Sequence, residues 1–480
     1  MYSSQEWDAI GRNRVLCHAD AINVIAFSYD GVTPVPTGKA SLPNSTIARI
    51  EHYFDFSGLG ATWRTEILAG LTTFLTMAYI IFVNPAILSK TGMPIAAVTA
   101  ATCLCAAFGS ILMGVLARYP LALAPGMGLN AYFTYTVCLK MHIPWQTALG
   151  AVFLSGVIFL ALTFGGIRQL LVEAIPRELH ASVAGGVGLF IAFIGLIETG
   201  IVVRDPDTVV ALGNLRAPGT MLALFGLLLI AVLQMLKIRA SILIGIVGTL
   251  LTGYIFGQVH WTPQHFNLHE LTATAGKLDI RGALHTGALE IIFVFLFVDL
   301  FDNVGTLVAV TKKAGLITDD AKIPRLSKIF FADATATIVG SLTGTSTVCS
   351  YIESSAGVAA GGRTGIPAIV TGICFFLSLF LAPLVGPIPS AATAPALIIV
   401  GALMLGSIAE VDWADATVAI PAFLTLVMIP LTYSIANGLG IGISSFALLR
   451  LFSGKATRHD WLLFVLAALF IARFAFLSRG

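Results

Sequence analysis

"FVFLFVDLFDNVGTLVAV", residues 293–310, sets Asp299 and Asp302 three residues apart inside a run that otherwise reads as lipid-facing helix. An acid at the centre of a lone transmembrane helix costs about 2.5–3.5 kcal/mol even on translocon-based scales, so such residues usually mark an ion or substrate pathway. The bland alternative for Asp302 is a carboxylate that only pairs with backbone donors inside a bundle. Asp299 lies one turn away on nearly the same face and is a second ligand or an orienting partner. The two cannot both be ionised cheaply in a dry site, so either one holds a proton or the site is wet.

The rest of the chain decides the setting. Its 480 residues are 57% hydrophobic and 11% charged, with a mean hydropathy of +0.91, which is outside the range of soluble domains. Apolar runs long enough to cross a bilayer, roughly 17–25 residues each, recur as fourteen expected spans from 66–89 to 434–453. Span 3 is 121–139, span 8 is 286–311, span 9 is 326–342 and span 10 is 345–361. A further run at 460–477 is either an extra span or a helix along the surface. With the N-terminus placed in the cytoplasm, sixteen Lys and Arg between spans fall inside and six outside: Lys90, Lys140, Arg204, Arg216, Lys277 and Arg281. That bias is the positive-inside pattern, and it supports both the spans and the orientation. The expected fold is an all-α polytopic membrane protein.

Cys17, Cys103, Cys105, Cys138, Cys349 and Cys374 show no C-x-x-C spacing, so neither a disulfide framework nor a metal site is indicated. His260, His265, His269 and His285 cluster in the outer loop 258–285 without ligand-like spacing and read as loop histidines. No cofactor is expected, and a net charge of +2 suggests no nucleic-acid partner. Residues 1–44 lack a signal peptide's apolar core and read as a mobile tail.

An odd number of spans per half turns the second half upside down relative to the first, the inverted-repeat plan of many secondary transporters. The expected division is 45–257 for the first repeat, 286–453 for the second and 454–480 for a C-terminal segment. In such folds the interrupted spans of the two halves meet near the midplane. Span 3 carries "LALAPGMGLNAYF", where Pro125, Gly126 and Gly128 break a helix before Asn130; span 10 carries "GTSTVCSYIESSAGVAAGG" around Glu353. Asn130 and Glu353 are 223 positions apart, and the same offset from Asp302 lands on position 79 in span 1, which suggests duplication.

Non-helical backbone at this depth must be buried in protein or line a wet cavity. Asn130, Ser354 and Ser355 each stand where they could cap a half-helix, whose free N–H groups suit electronegative ligand atoms. Asn130 reads equally well as a cap or interhelical glue that touches no ligand. "GMGLNA" also fits a dinucleotide-binding pattern, but it lies in an apolar span with no strand and crossover around it. Glu353 carries the same cost as Asp302. Glu198 and Asp333 lie nearer the ends of their spans, where water reaches, and read as structural.

"AGLTTFLTMAYIIFVNP" (69–85), "LAPGMGLNAYF" (123–133), "FVDLFDNVGTL" (297–307) and "SYIESSAGVAAGGRTG" (350–365) resemble the AzgA-like adenine, guanine and hypoxanthine permeases, a branch of the nucleobase:cation symporter type 2 family. The resemblance covers about 48–453. It implies fourteen spans in two inverted repeats, a core domain of spans 1–4 and 8–11, a gate domain of spans 5–7 and 12–14, and proton-driven uptake of a purine nucleobase in a cell inner membrane. By motif, the family's substrate-binding acid falls on Asp302, its span-10 partner on Glu353 and its G-x-N on Gly128 and Asn130. Glu353 stands four residues before Gly357, where other branches have three.

A purine offers N–H donors beside ring-nitrogen acceptors; a carboxylate takes the donors, and backbone N–H groups at the half-helix ends serve the acceptors. Phe74 and Phe301 are the candidates to stack on the ring. A dry pocket favours a carboxyl's neutral form, so proton and substrate can favour each other's binding, with Asp299, Asp302 and Glu353 as the coupling candidates. The bilayer is the other partner, and the resemblance leaves room for a homodimer. The rival reading within this fold is a sulfate-type anion carrier, which would not want two acids near its ligand. An ion channel would need polar rows along whole helix faces, and an enzyme would need a nucleophile and base that do not stand out.

Overall fold

The computed structural model describes residues 45–165, 176–259, 272–285, 289–316, 323–380, 388–457 and 460–476. The tail expected over 1–44 and the loop residues His260, His265 and His269 lie outside these. The segment ending at Tyr53 forms a unit by itself, and its helix α1 (Thr46–Tyr53) has no buried residue.

From Phe54 onward the chain is a helical bundle. The short α2 (Phe56–Leu59) leads to α3 (Trp63–Met77), which starts on a reciprocal cap: Thr62 accepts from the Thr65 amide while Thr65 accepts from the Thr62 amide. The helix breaks at Ala78 and Tyr79 and resumes as α4 (Ile80–Leu88). α5 (Ile95–Leu112) ends in a π-turn, Met113–Ala117. After β1 (Leu123–Pro125), α6 (Met127–Ala131) runs on as a π-helix to Lys140. Next come α7 (Trp145–Phe164), α8 (Arg177–Glu198), the hairpin β2 (Val202–Asp205) and β3 (Val209–Leu212), α9 (Pro218–Met235), α10 (Ser241–Ile255) and α11 (Ile280–His285). The opening stretch forms α12 (Leu289–Ala314), followed by α13 (Leu326–Thr343), β4 (Val348–Ser350), α14 (Ser354–Ala359), α15 (Ile366–Ser378), α16 (Ser390–Met404), α17 (Ala416–Thr432), α18 (Ile435–Phe452) and α19 (Trp461–Phe476). Eight helices among the described residues are long and apolar enough to cross a membrane; α10, α15, α17 and α19 are apolar but shorter.

Two sets of helices pack mainly within themselves. α15 lies on α3 and α5, and α13 on α5 and α7; α8 lies on α16 and α17, α9 on α10 and α16, and α17 on α18. Between the sets, α8 meets α12 and α6. Gly128 makes that last approach possible, because a Cβ there would collide with the Val187 side chain on α8.

The two extended stretches pair antiparallel at the centre, Leu123 with Ser350, Ala124 with Cys349 and Pro125 with Val348. A two-stranded ribbon leaves a row of unpaired N–H and C=O groups on each outer edge, which hydrocarbon cannot satisfy. Two hydroxyls close these edges. Ser110 on α5 donates to the Leu123 carbonyl and accepts from its amide, both at 3.0 Å. Thr337 on α13 does the same for Val348, at 3.0 and 3.2 Å. Further stitches are the Asn303 Oδ1 acceptor for the Ser350 amide, 2.7 Å, and the Ser354 hydroxyl for the Ala122 amide, 3.0 Å.

These contacts correct the expected caps. α6 begins at Met127, so Asn130 is its fourth residue and its amide already bonds the Gly126 carbonyl. Ser354 and Ser355 are the first residues of α14, and no side chain caps it. Strand start to strand start (Leu123, Val348) is 225 positions, and helix start to helix start (Met127, Ser354) is 227, beside the 223 between Asn130 and Glu353.

The final helix settles where the run 460–477 goes. Asp460 at its start pairs with Arg450 near the end of α18, 3.3 Å. Near its other end, Arg473 bonds Glu290 at the start of α12 and reaches Asn437 at the start of α18, 3.1 Å. α19 therefore runs antiparallel to α18 along its length, about 24 Å.

Candidate functional site

The ribbon, the break in the first long helix and the middle of α12 bring together side chains from three parts of the sequence. Asp302 is partly exposed and stands on α12, which packs on β4, the strand that carries Cys349. The thiol has room because Gly126 faces it; a Cβ there would stand 2.7 Å from the Cys349 sulfur. Glu353, also partly exposed, lies just before α14, which packs on α12. Its Oε1 accepts a 2.7 Å hydrogen bond from the Tyr79 hydroxyl. Beside them, Tyr351 donates to the Pro125 carbonyl, 2.5 Å. The start of α6 adds backbone N–H groups backed by a helix that continues to Lys140; α14, with six residues, adds much less dipole.

The other sequence candidates divide by their contacts. Asn130, fully buried, donates through Nδ2 to Asn84 Oδ1, 2.5 Å, and accepts at Oδ1 from the Ser346 hydroxyl. Asn84 in turn donates to Thr102 and Thr345 at 2.7 and 3.0 Å. Asn130 is thus the centre of a polar knot joining α4, α5, α6 and the approach to β4. Phe301 is 1% exposed and packs on the His180 ring of α8, centroids 4.7 Å apart. Phe74 stands edge-on to Phe375 of α15, 5.2 Å. Neither ring forms an open wall beside Asp302 in this conformation.

Asp299 belongs to a second polar centre. The Asn303 amide donates to Asp299 at 2.8 Å and to Asp333 at 3.1 Å, while its oxygen holds the Ser350 amide. Asp333 is eighth of the eighteen residues of α13 and 1% exposed, which corrects the expectation that it sits near a wet span end: α13 starts at Leu326, so Asp333 lies two turns in. Glu198 receives Lys90 and Tyr135 at the far end of α8.

Tyr79, Cys349 and Asn303 carry contacts that no motif reading singled out. A tyrosine and a cysteine in apolar runs look like ordinary core. Only the offset from Asp302 pointed to position 79.

The Permease family matches residues 64–441, a stretch that includes the helix break, the ribbon, Asp302 and Glu353. The chain belongs to this permease family. The guanine/hypoxanthine permease PbuG of Bacillus subtilis is 45% identical over 89% of this chain and 99% of its own length. The adenine permease AdeP of Escherichia coli is 42% identical over 89% of this chain and 96% of its own. Among solved structures, the transmembrane domain of the cyanobacterial bicarbonate transporter BicA aligns with a TM-score of 0.59 at 15% identity, covering 79% of this chain and 97% of that one. That likeness concerns the fold. The permease is a multi-pass helical membrane transporter and not an enzyme.

Proposed function

We propose that this permease imports purine nucleobases across the cytoplasmic membrane by proton symport, with the base held between Asp302 and Glu353. The observation that carries the reading is that α12, which carries Asp302, packs on β4 and on α14, at whose start Glu353 stands, beside the start of α6. A purine needs acceptors for its N–H groups and donors for its ring nitrogens, and carboxylates facing backbone N–H groups offer both. Relatives whose names specify adenine or guanine and hypoxanthine support the substrate class. Gly128 serves by letting α8 approach, and Asn130 by holding the ribbon's surroundings. Phe301 and Phe74 would reach the base only after α8 and α15 shift.

The fourteen-span scheme of two inverted repeats belongs to the same proposal, with the set around α3, α5, α7, α12, α13 and α15 as the core and the set around α8, α9, α10, α16, α17 and α18 as the gate. The N-terminus then lies in the cytoplasm. The proton would reside among Asp299, Asp302 and Glu353. At a membrane potential of about 150 mV, one proton supplies about 3.5 kcal/mol, enough for a few hundred-fold accumulation. The anion-carrier reading draws only on the fold of BicA, and two acids at the site oppose an anionic ligand. Uptake of labelled adenine, guanine and hypoxanthine into cells lacking their own purine uptake tests the proposal. Energised uptake that a protonophore abolishes is expected; uptake of none of the three overturns it.

A further inference from the structure

We infer that Tyr79 is the positioning residue for Glu353, setting how its carboxylate meets the substrate. The inference rests on the purine-site reading above and adds a residue to it. Tyr79 lies where the first long helix breaks: α3 ends at Met77 and α4 begins at Ile80. The break turns the phenol toward the ribbon, and the ring is itself 1% exposed, so its rotation is locked by packing. Its hydroxyl donates to Glu353 Oε1 at 2.7 Å. A carboxylate has about four acceptor positions. With the phenol filling one of them from a ring locked in place, the remainder point in directions fixed by the protein, and Glu353 is partly exposed to receive a ligand.

The neighbouring groups cannot take over this task. The Tyr351 hydroxyl is spent on the Pro125 carbonyl, and Cys349 lies on β4, packed against α12. Asp302 accepts but does not donate when ionised. Tyr79 is therefore the side-chain donor that keeps Glu353 pointing one way, and because it sits in the break just before α4, a shift of that helix would release the acid.

The test is transport kinetics of labelled base with Tyr79→Phe, which keeps the ring and removes the donor. A hydrogen bond to a charged group contributes about 1.5–3 kcal/mol, so KM should rise at least tenfold while Vmax per membrane-inserted protein stays within twofold. An unchanged KM, or a loss of Vmax alone, overturns the inference. If Tyr79→Phe fails to reach the membrane, 3-fluorotyrosine placed at position 79 keeps the shape and strengthens the donor; KM should then move at least threefold, and no movement overturns the role. The wild-type protein separates the two claims: if it transports no purine, the purine reading falls, whereas normal purine transport with an indifferent Tyr79 sinks only this inference.

Discussion

Asp302→Asn changes charge and acceptor count while keeping shape, so it should abolish purine uptake and leave the permease in the membrane at wild-type abundance. Normal uptake kinetics in that variant would remove Asp302 from the site. Asn130→Ala should behave differently. It strands Asn84 and Ser346, which both bond Asn130, and a buried polar group left unsatisfied costs about 1–3 kcal/mol. The detergent-purified variant should melt several degrees lower, with the KM of whatever protein remains unchanged; a raised KM at normal stability would make Asn130 a ligand instead of glue. The contrast shows what could be read from the chain. An acid in an apolar run is conspicuous because its cost is large, whereas an asparagine's partners decide its task, and those lie up to 216 positions away, at Ser346.

Ser110 and Thr337 illustrate the same limit for elements. Pro125, Gly126 and the small residues of span 10 announce that two spans are interrupted, but not that the interruptions pair or that one hydroxyl seals each outer edge. Removing either leaves a strand N–H and C=O unsatisfied where no lipid can serve them. Ser110→Ala and Thr337→Val should each lower the melting temperature, and the double variant should fail to accumulate; wild-type melting of both singles would show that water reaches the ribbon. Helix starts proved less legible than helix existence, because Ser354 looks like a cap yet spends its hydroxyl on Ala122. α19 was ambiguous for want of a partner in the sequence. The Arg473 guanidinium bonded to Glu290 and Asn437 supplies one, and Arg473→Ala should loosen α19 enough to expose its loop to protease in membrane vesicles.

For the whole molecule, the fold class and the permease family follow from hydropathy and four motifs, since every crossing must be apolar and the motifs sit where helices cannot continue. Whether a proton moves with the substrate is not written in any motif. The two polar centres are neighbours across β4: Asn303 holds the Ser350 amide and both Asp299 and Asp333, while α12, which carries Asp302, packs on the same strand. A proton arriving at Asp299 or Asp333 would therefore alter the hydrogen bonds that Asn303 makes to that three-residue strand. If Glu353 carries the coupling proton, Glu353→Gln mimics its protonated form. That variant should still exchange labelled purine across the membrane but lose the response to an imposed pH gradient. In the wild-type permease, accumulation should fall as external pH rises, collapse with a protonophore and ignore the removal of sodium. Full pH-driven accumulation by Glu353→Gln would move the proton to the Asp299 centre, where Asp299→Asn should then abolish coupling while sparing exchange. A requirement for sodium at every pH would overturn proton symport for this permease.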